Sequence, residues 1–75
     1  MTTTLQTMVT VNGEARRLAG GNLLTDLLRD LSIDPDTARG IAVARNEEVV
    51  PRRAWRSVQL RDGDRVEVVT AKQGG

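Results

Sequence analysis

Residues 23–31 read LLTDLLRDL, a segment whose leucines recur at the spacing of an α-helix. One face of the predicted helix carries four of them, and a fifth flanks the stripe: Leu24, Leu27, Leu28, Leu31 and Leu23. Asn22 is the expected N-cap, Asp26 complements the positive end of the helix dipole, and Pro35 prevents continuation past residues 32–34. A helix with one apolar face needs a second layer to cover that face, and the flanking segments predict that layer.

The flanking segments alternate between apolar and polar residues, as half-buried β-strands do. Residues 5–12 form a predicted strand, Asn12-Gly13 a type I′ hairpin turn, and residues 14–18 the returning strand. Three further strands are predicted after the helix, over residues 41–45, 49–50 and 65–71. Pro51 ends the second of these, as expected at a sheet edge, and the turn Asp62-Gly63-Asp64 precedes the last.

This order of elements predicts an α+β domain of the β-grasp, ubiquitin-like type: a mixed sheet of four or five strands with one main helix on one face. The first and last strands are expected side by side and parallel in the middle of the sheet, through a right-handed crossover. Trp55 lies in a segment without strand periodicity, residues 52–57, and is expected to pack as a satellite of the core. The sheet face toward the helix is expected to carry Val9, Val11, Ile41, Val43, Val66 and Val68.

The opposite sheet face is expected to be uncharged and mildly apolar. Its predicted members are Met8, Thr10, Ala42, Ala44 and Val69, and Ala71 extends the row toward the C-terminus. An exposed apolar patch beside the chain end predicts a surface that docks partner proteins. Small side chains of this kind also serve as packing filler, which is the competing interpretation.

The composition excludes several classes of function. The 75 residues suit one small domain, and they include neither cysteine nor histidine, which removes disulfides, thiolate nucleophiles, zinc clusters and imidazole chemistry. Eleven basic and ten acidic residues give a formal charge of +1, too little for a nucleic-acid surface. No apolar run reaches the ~20 residues of a membrane span, and residues 1–4 lack signal-peptide features. We expect a cytoplasmic domain without a metal site.

The last five residues of the sequence are Ala71-Lys72-Gln73-Gly74-Gly75, and the last predicted strand ends at the first of them. Residues 72–75 are expected to form a flexible tail, and residues 1–4 to be disordered. On the diglycine alone, a functional tail and an end without a role, either frayed or a cloning remnant, are equally favoured interpretations. The rest of the sequence has to distinguish these interpretations.

Two motifs are unusually specific: AVARNEEVVP at residues 42–51, and GDRVEVV at residues 63–69 followed by the diglycine. Together with VNG at residues 11–13, the leucine stripe and Trp55, they resemble the ThiS family of sulfur carrier proteins in thiamine biosynthesis, over nearly the whole chain. Glu47 departs from the family pattern, which usually has glycine after Asn46. This departure predicts a different turn type at that hairpin.

The resemblance implies that an E1-like, ThiF-like enzyme adenylates the C-terminal carboxylate of Gly75 with ATP and magnesium. The carboxylate then becomes a thiocarboxylate, with sulfur from a donor such as a cysteine desulfurase, and passes the sulfur to a ThiG-like thiazole synthase. The chain is then a substrate rather than an enzyme, and it binds no cofactor itself. Gly74 and Gly75 are the tail residues required for activation, because glycine fits channels where a Cβ would clash.

Other functions remain open from the sequence. Sulfur carriers for molybdopterin or for tRNA thiolation share the fold and the diglycine end, and so do ubiquitin-like modifiers that are attached to lysines of other proteins. A plain β-grasp interaction module with an inert tail is a further alternative. Nothing in the sequence resembles a catalytic constellation, which argues against an independent enzyme.

Overall fold

The computed structural model describes residues 7–19 and 21–71. Its elements, in chain order, are β1 (Thr7–Val11), β2 (Glu14–Leu18), α1 (Leu24–Asp30), β3 (Ile41–Arg45), β4 (Glu48–Val50), a 3₁₀-helix (Arg52–Ser57) and β5 (Arg65–Thr70). Across the described ranges, no helix has the length and apolar character needed to cross a bilayer. The expectations for residues 1–4, for a strand start at Leu5 and for residues 72–75 lie outside the described residues.

The strands form one mixed sheet in the order β2-β1-β5-β3-β4. β1 and β5 are parallel neighbours in the middle, with Val11 opposite Val66, and the other pairs are antiparallel. The predicted β-grasp, with its first and last strands side by side, is therefore confirmed. The segment without strand periodicity around Trp55 forms the 3₁₀-helix.

The core lies between α1 and one face of the sheet. Three leucines of the stripe, Leu24, Leu27 and Leu28, have no exposed surface, and burial of one such side chain contributes about 1.5–3 kcal/mol. The other buried apolar residues are Val9, Val11, Leu18, Val43, Trp55, Leu60, Val66 and Val68, while Ile41 and Leu31 pack at the margin. Trp55 belongs to the main core rather than to a satellite, and its indole Nε1 donates to the carbonyl of Val50 at 3.0 Å.

The start of α1 differs from the prediction, because the N-cap is Leu23 and not Asn22. Leu23 has extended backbone angles (φ −81°, ψ 148°) and forms an antiparallel bridge with Gln59. The carbonyl of Asn22 accepts from the N–H of Leu60 at 2.7 Å, so the backbone of Asn22 pairs with a distant segment of the chain. Asp26 instead accepts from the N–H of Leu23 at 3.2 Å and satisfies one free donor of the helix start.

The end of α1 is set by Ser32 rather than by Pro35. Ser32 has a left-handed φ of 64°, its N–H donates to the carbonyl of Arg29 at 2.9 Å, and the N–H of Ile33 donates to Leu28 at 2.8 Å. These two bonds make a Schellman motif, which satisfies the last carbonyls of a helix. The helix therefore stops before Pro35 is reached.

The β3–β4 hairpin corrects a second prediction. Asn46 and Glu47 both have positive φ, 51° and 72°, and they match Asn12 and Gly13 of the β1–β2 hairpin, at 51° and 87°. Positive φ at both central positions is the pattern of a type I′ turn, so the expected change of turn type is wrong. Type I′ is one of the two turn types whose twist suits a two-residue loop between antiparallel strands, and Glu47 adopts it despite its Cβ.

The strain at Glu47 predicts a stabilising substitution. Glu47→Gly should raise the free energy of unfolding by about 1 kcal/mol, because glycine adopts positive φ without the Cβ clash. The ion pair that is lost, to Arg65 at 3.4 Å, is exposed and contributes little. Urea denaturation measures the difference. Glu47→Ala removes the same ion pair but keeps a Cβ, so an equal gain in both variants would contradict the conformational explanation.

Candidate functional site

The end of β5 and the sheet face beside it form the candidate site. β5 is the central strand, and the last hydrogen bond described beyond it joins the N–H of Ala71 to the carbonyl of Gly40 at 2.6 Å. We call residues 68–71 the tail root. Gly74 and Gly75, the predicted reactive residues, lie outside the described residues, so the structure defines the support from which they continue.

A side-chain amide supports the tail root on the β1 side. The N–H of Val68 donates to Oδ1 of Asn12 at 2.9 Å, and Nδ2 of Asn12 donates to the carbonyl of Val68 at 3.1 Å. On the other side, β3 pairs with β5 as far as Ile41 opposite Thr70. The sequence indicated only a turn role for Asn12, because the bonded residues are 56 positions apart.

A buried carboxylate anchors the opposite end of β5. Asp64 is 7% exposed and accepts from three groups: the N–H of Arg61 at 2.8 Å, Nε of Arg45 at 2.9 Å and Nδ2 of Asn46 at 3.1 Å. Burial alone would raise the pKa of Asp64, but these hydrogen bonds and the Arg45 charge outweigh it and hold the pKa below the ordinary aspartate value. The sequence predicted a turn at this position and missed the network.

The lowered pKa of Asp64 predicts a pH dependence of stability. Because the carboxyl is more acidic in the folded state, its contribution is complete above the unfolded pKa of about 3.9 and is lost as pH falls through the lower folded pKa. The free energy of unfolding should therefore fall more steeply below about pH 4 in the wild type than in Asp64→Asn. Parallel pH profiles from urea denaturation would contradict this assignment.

The sheet face opposite α1 brings three of the predicted docking residues together. Ala42 pairs with Val69, and Ala44 lies between Glu67 on β5 and Val49 on β4. Val49 and Val69 are 76% and 60% exposed, and these side chains line a shallow depression of about 220 Å³. We call Ala42, Ala44, Val49 and Val69 the outer patch. Val49 was missed because the sequence indicated a strand there but not its register against Ala44.

Met8 and Thr10, two other predicted members of this face, lie away from the outer patch. Met8 accepts at its carbonyl from the N–H of Gly63, which puts it about 20 Å along the strand direction from Val69 at ~3.3 Å per residue. Thr10 lies opposite Arg65, and Ala71 is exposed just beyond β5. The expectation of an uncharged face is also wrong, because alternation on β5 puts Arg65 and Glu67 on it.

The residues described provide no metal centre. Within ranges 7–19 and 21–71, no group of three or more histidine, cysteine, aspartate or glutamate side chains could hold a metal ion.

Known proteins share the sequence pattern of this chain over most of its length. The ThiS family model matches residues 9–75. The sulfur carrier protein ThiS of Thermus thermophilus is 41% identical over 68 residues, which cover 91% of this chain and 100% of that protein. A thiazole synthase of Paramagnetospirillum magneticum is 37% identical over 65 residues, which cover 87% of this chain and only 19% of that protein.

A solved structure shows the same fold. The crystal structure of the thiamine biosynthesis protein ThiS from Geobacter metallireducens superposes with a TM-score of 0.72 at 33% identity, covering 91% of this chain and 99% of that one. The solution structure of a thiamine biosynthesis protein from the same organism gives a TM-score of 0.67 at 32% identity, with coverages of 91% and 87%. This chain therefore belongs to the ThiS family, the sulfur carrier proteins of thiamine biosynthesis.

Proposed function

We propose that the chain carries sulfur on the α-carboxylate of Gly75, as a thiocarboxylate destined for the thiazole ring of thiamine. The observation that supports this most strongly is that the family match includes the diglycine and ends at residue 75. The segment that leads to the diglycine follows β5, the central strand, which lies between β1 and β3. An α-carboxylate has a reference pKa of about 3.5, so it is ionised at neutral pH and can attack the α-phosphorus of ATP. Pyrophosphate leaves as the acyl-adenylate forms. Sulfide then attacks the acyl carbon and displaces AMP, which gives the thiocarboxylate directly. A donor that holds its sulfur as a persulfide gives an acyl disulfide in the same displacement, and a thiol then cleaves this disulfide to release the thiocarboxylate and is itself oxidised to a disulfide.

The chain acts in this scheme as a substrate in the cytoplasm rather than as a catalyst. It has no cysteine that could hold sulfur and no histidine for acid–base work. An E1-like enzyme of the ThiF type supplies the ATP and magnesium site, and a donor such as a cysteine desulfurase supplies the sulfur. Gly74 is the narrow neck behind the reacting carboxylate, since glycine passes where a Cβ would clash.

The acceptor in this proposal is a thiazole synthase of the ThiG type. The thiazole synthase of Paramagnetospirillum magneticum contains a segment similar to this chain, which associates the carrier sequence with that enzyme. This segment is 19% of that protein, so the similarity covers a carrier-like segment and not the remainder of the synthase. A carrier domain covalently joined to its acceptor would present sulfur at high effective concentration.

Intact-mass spectrometry tests the chemistry. The purified chain is incubated with an activating enzyme, ATP, magnesium and a sulfur donor, and the C-terminal peptide is then fragmented. We expect a mass gain equal to the difference between one sulfur and one oxygen atom, located at Gly75, and none in a variant that lacks Gly75. A gain on an internal residue, or an equal gain in the shortened variant, would contradict the proposal.

The outer patch is the proposed docking surface for the activating enzyme. Its member on β5, Val69, lies two residues before Ala71, where the described chain passes the last hydrogen bond to the β3 side. Its exposed valines offer apolar area for desolvation, and Glu67 adds one charge at its border. A partner that covers this patch would receive the tail from a fixed direction.

Val69→Asp should raise the KM of the activating enzyme for this chain about tenfold, because it buries an unpaired carboxylate at the interface. Pyrophosphate exchange measures KM, and thermal denaturation verifies that the variant folds. Met8→Asp is the matched control, since it adds the same charge to the same sheet face, about 20 Å from Val69 by the strand spacing. An equal effect of both substitutions, or no effect of Val69→Asp, would contradict docking at the outer patch.

A further inference from the structure

We infer that Asn12 is a positioning residue, whose side-chain amide holds the tail root so that the reactive chain end leaves the domain at a fixed point. The inference rests on the proposed function and adds to it a determinant of tail presentation outside the tail.

β1 supports only the first part of β5. The two strands pair at Thr10 opposite Arg65 and at Val11 opposite Val66, and the N–H of Asn12 donates to the carbonyl of Val66 at 2.9 Å. The chain then turns away into the β1–β2 hairpin. β5 continues to Thr70, so its last residues run beyond the end of β1.

The amide of Asn12 takes the place of the missing strand. It presents one acceptor and one donor to Val68, at 2.9 and 3.1 Å, as the peptide group of a further β1 residue would. On the β3 side, the carbonyl of Gly40 accepts from the N–H of Ala71 at 2.6 Å. Within the described part of the chain, the hydrogen bonds of the tail root thus run to β3 and Gly40 on one side and to the side chain of Asn12 on the other, while Val68 also packs in the core.

Loss of the amide would leave the tail root bonded on the β3 side only. A strand end with few bonds opens locally at low free-energy cost, and opening would move the point of exit from Ala71 back toward Val68. The segment that an activating enzyme must order would then become longer, which increases the entropy that binding has to overcome. We therefore expect loss of the Asn12 amide to weaken the binding of the carrier to the activating enzyme and to leave the rate of the chemical step unchanged.

The test compares two asparagine-to-glycine substitutions. Asn12→Gly keeps a residue that favours positive φ, so the turn is retained while the amide is lost. Asn46→Gly is the matched control, because Asn46 has the same φ of 51° and its amide binds Arg65 and Asp64, at the far end of β5. Both substitutions remove an asparagine amide that bonds to β5 or its preceding turn, but only one of them releases the tail root.

For Asn12→Gly we expect the KM for the carrier in pyrophosphate exchange to rise about fivefold with kcat nearly unchanged, and hydrogen exchange of the Val68 N–H to accelerate at least as much. Asn46→Gly should leave both quantities within about twofold of the wild type despite a similar loss of thermal stability. Asn12→Asp keeps the acceptor for Val68 and should fall between Asn12→Gly and the wild type, which provides a second variant if the glycine variant does not fold.

Three outcomes would overturn the inference. Equal rises in KM for the two glycine variants would mean that reduced stability is the cause, and unchanged exchange at Val68 would mean that the amide does not hold the tail root. A wild-type chain that is not adenylated at all would contradict the proposed function itself, and the inference would fall with it. The exchange measurement requires no partner, so the two kinds of failure are distinguishable.

Discussion

Gly74→Val is expected to slow adenylation of the chain by about 100-fold while leaving the melting temperature nearly unchanged. The proposed reaction requires the last two residues to enter the active site of another protein, where a branched side chain beside the reacting carboxylate displaces it from attack geometry. We expect little change in melting temperature because the substitution leaves the described core residues, which extend from Val9 to Val68, unaltered. Pyrophosphate exchange and thermal denaturation measure the two effects.

The matched control for this prediction is Gln73→Val, which introduces the same side chain one residue earlier, where a Cβ already exists. We expect a much smaller loss of adenylation rate from it than from Gly74→Val. Equal rates for Gly74→Val and the wild type would contradict the narrow-channel argument. A large drop in melting temperature would instead indicate that the tail contributes to folding.

Asp64→Ala is expected to lower the free energy of unfolding by about 3 kcal/mol, a large share of the stability of so small a domain. The substitution leaves the half-buried Arg45 guanidinium without its carboxylate, and the N–H of Arg61 and the amide of Asn46 without their acceptor. Urea denaturation measures the change, and circular dichroism verifies the folded baseline.

Asp62→Ala provides the control, because it removes a carboxylate from the same turn. Asp62 accepts one exposed hydrogen bond, from the N–H of Met8 at 2.8 Å, so its loss should cost about 1 kcal/mol or less. Similar losses for the two variants would contradict the assignment of a buried network to Asp64. The comparison also separates the network from the turn, since both variants keep Gly63.

The elements that could be predicted from the sequence are those encoded by local periodicity. The leucine stripe fixed α1 and its buried face, and the alternation around Val9, Val43 and Val66 fixed the strands and the face that meets α1. Because few topologies accommodate one helix and these strands, the parallel pairing of β1 and β5 in the middle of the sheet followed as well.

The features that could not be predicted depend on contacts between distant residues. Leu23 replaces Asn22 as the N-cap because the chain there pairs with residues 58–60. Leu60 is buried, although the segment around it has no periodic pattern. The amides of Asn12 and Asn46 bond to β5 across 56 and 19 positions, which no local motif encodes.

The candidate site could be predicted only in part, because its arrangement also depends on contacts between distant residues. Alternation assigned Met8, Ala42, Ala44 and Val69 to one sheet face, but only the register shows which of them are neighbours. The register brings Val49 into the outer patch and separates Met8 from it. The diglycine, by contrast, is a purely local signal, and its chemistry stays a proposal until the tail is tested directly.

The most direct test follows one sulfur atom from this chain to its product. The chain is charged with isotopically labelled sulfur, freed of donor and ATP, and mixed with a thiazole synthase and the remaining thiazole precursors. If the chain carries sulfur for thiazole formation, we expect this role to move the label from Gly75 to the thiazole in equal amount. Label that stays on the chain, or that passes only to molybdopterin precursors or tRNA, or a Gly75 that becomes joined to lysines of other proteins, would contradict it.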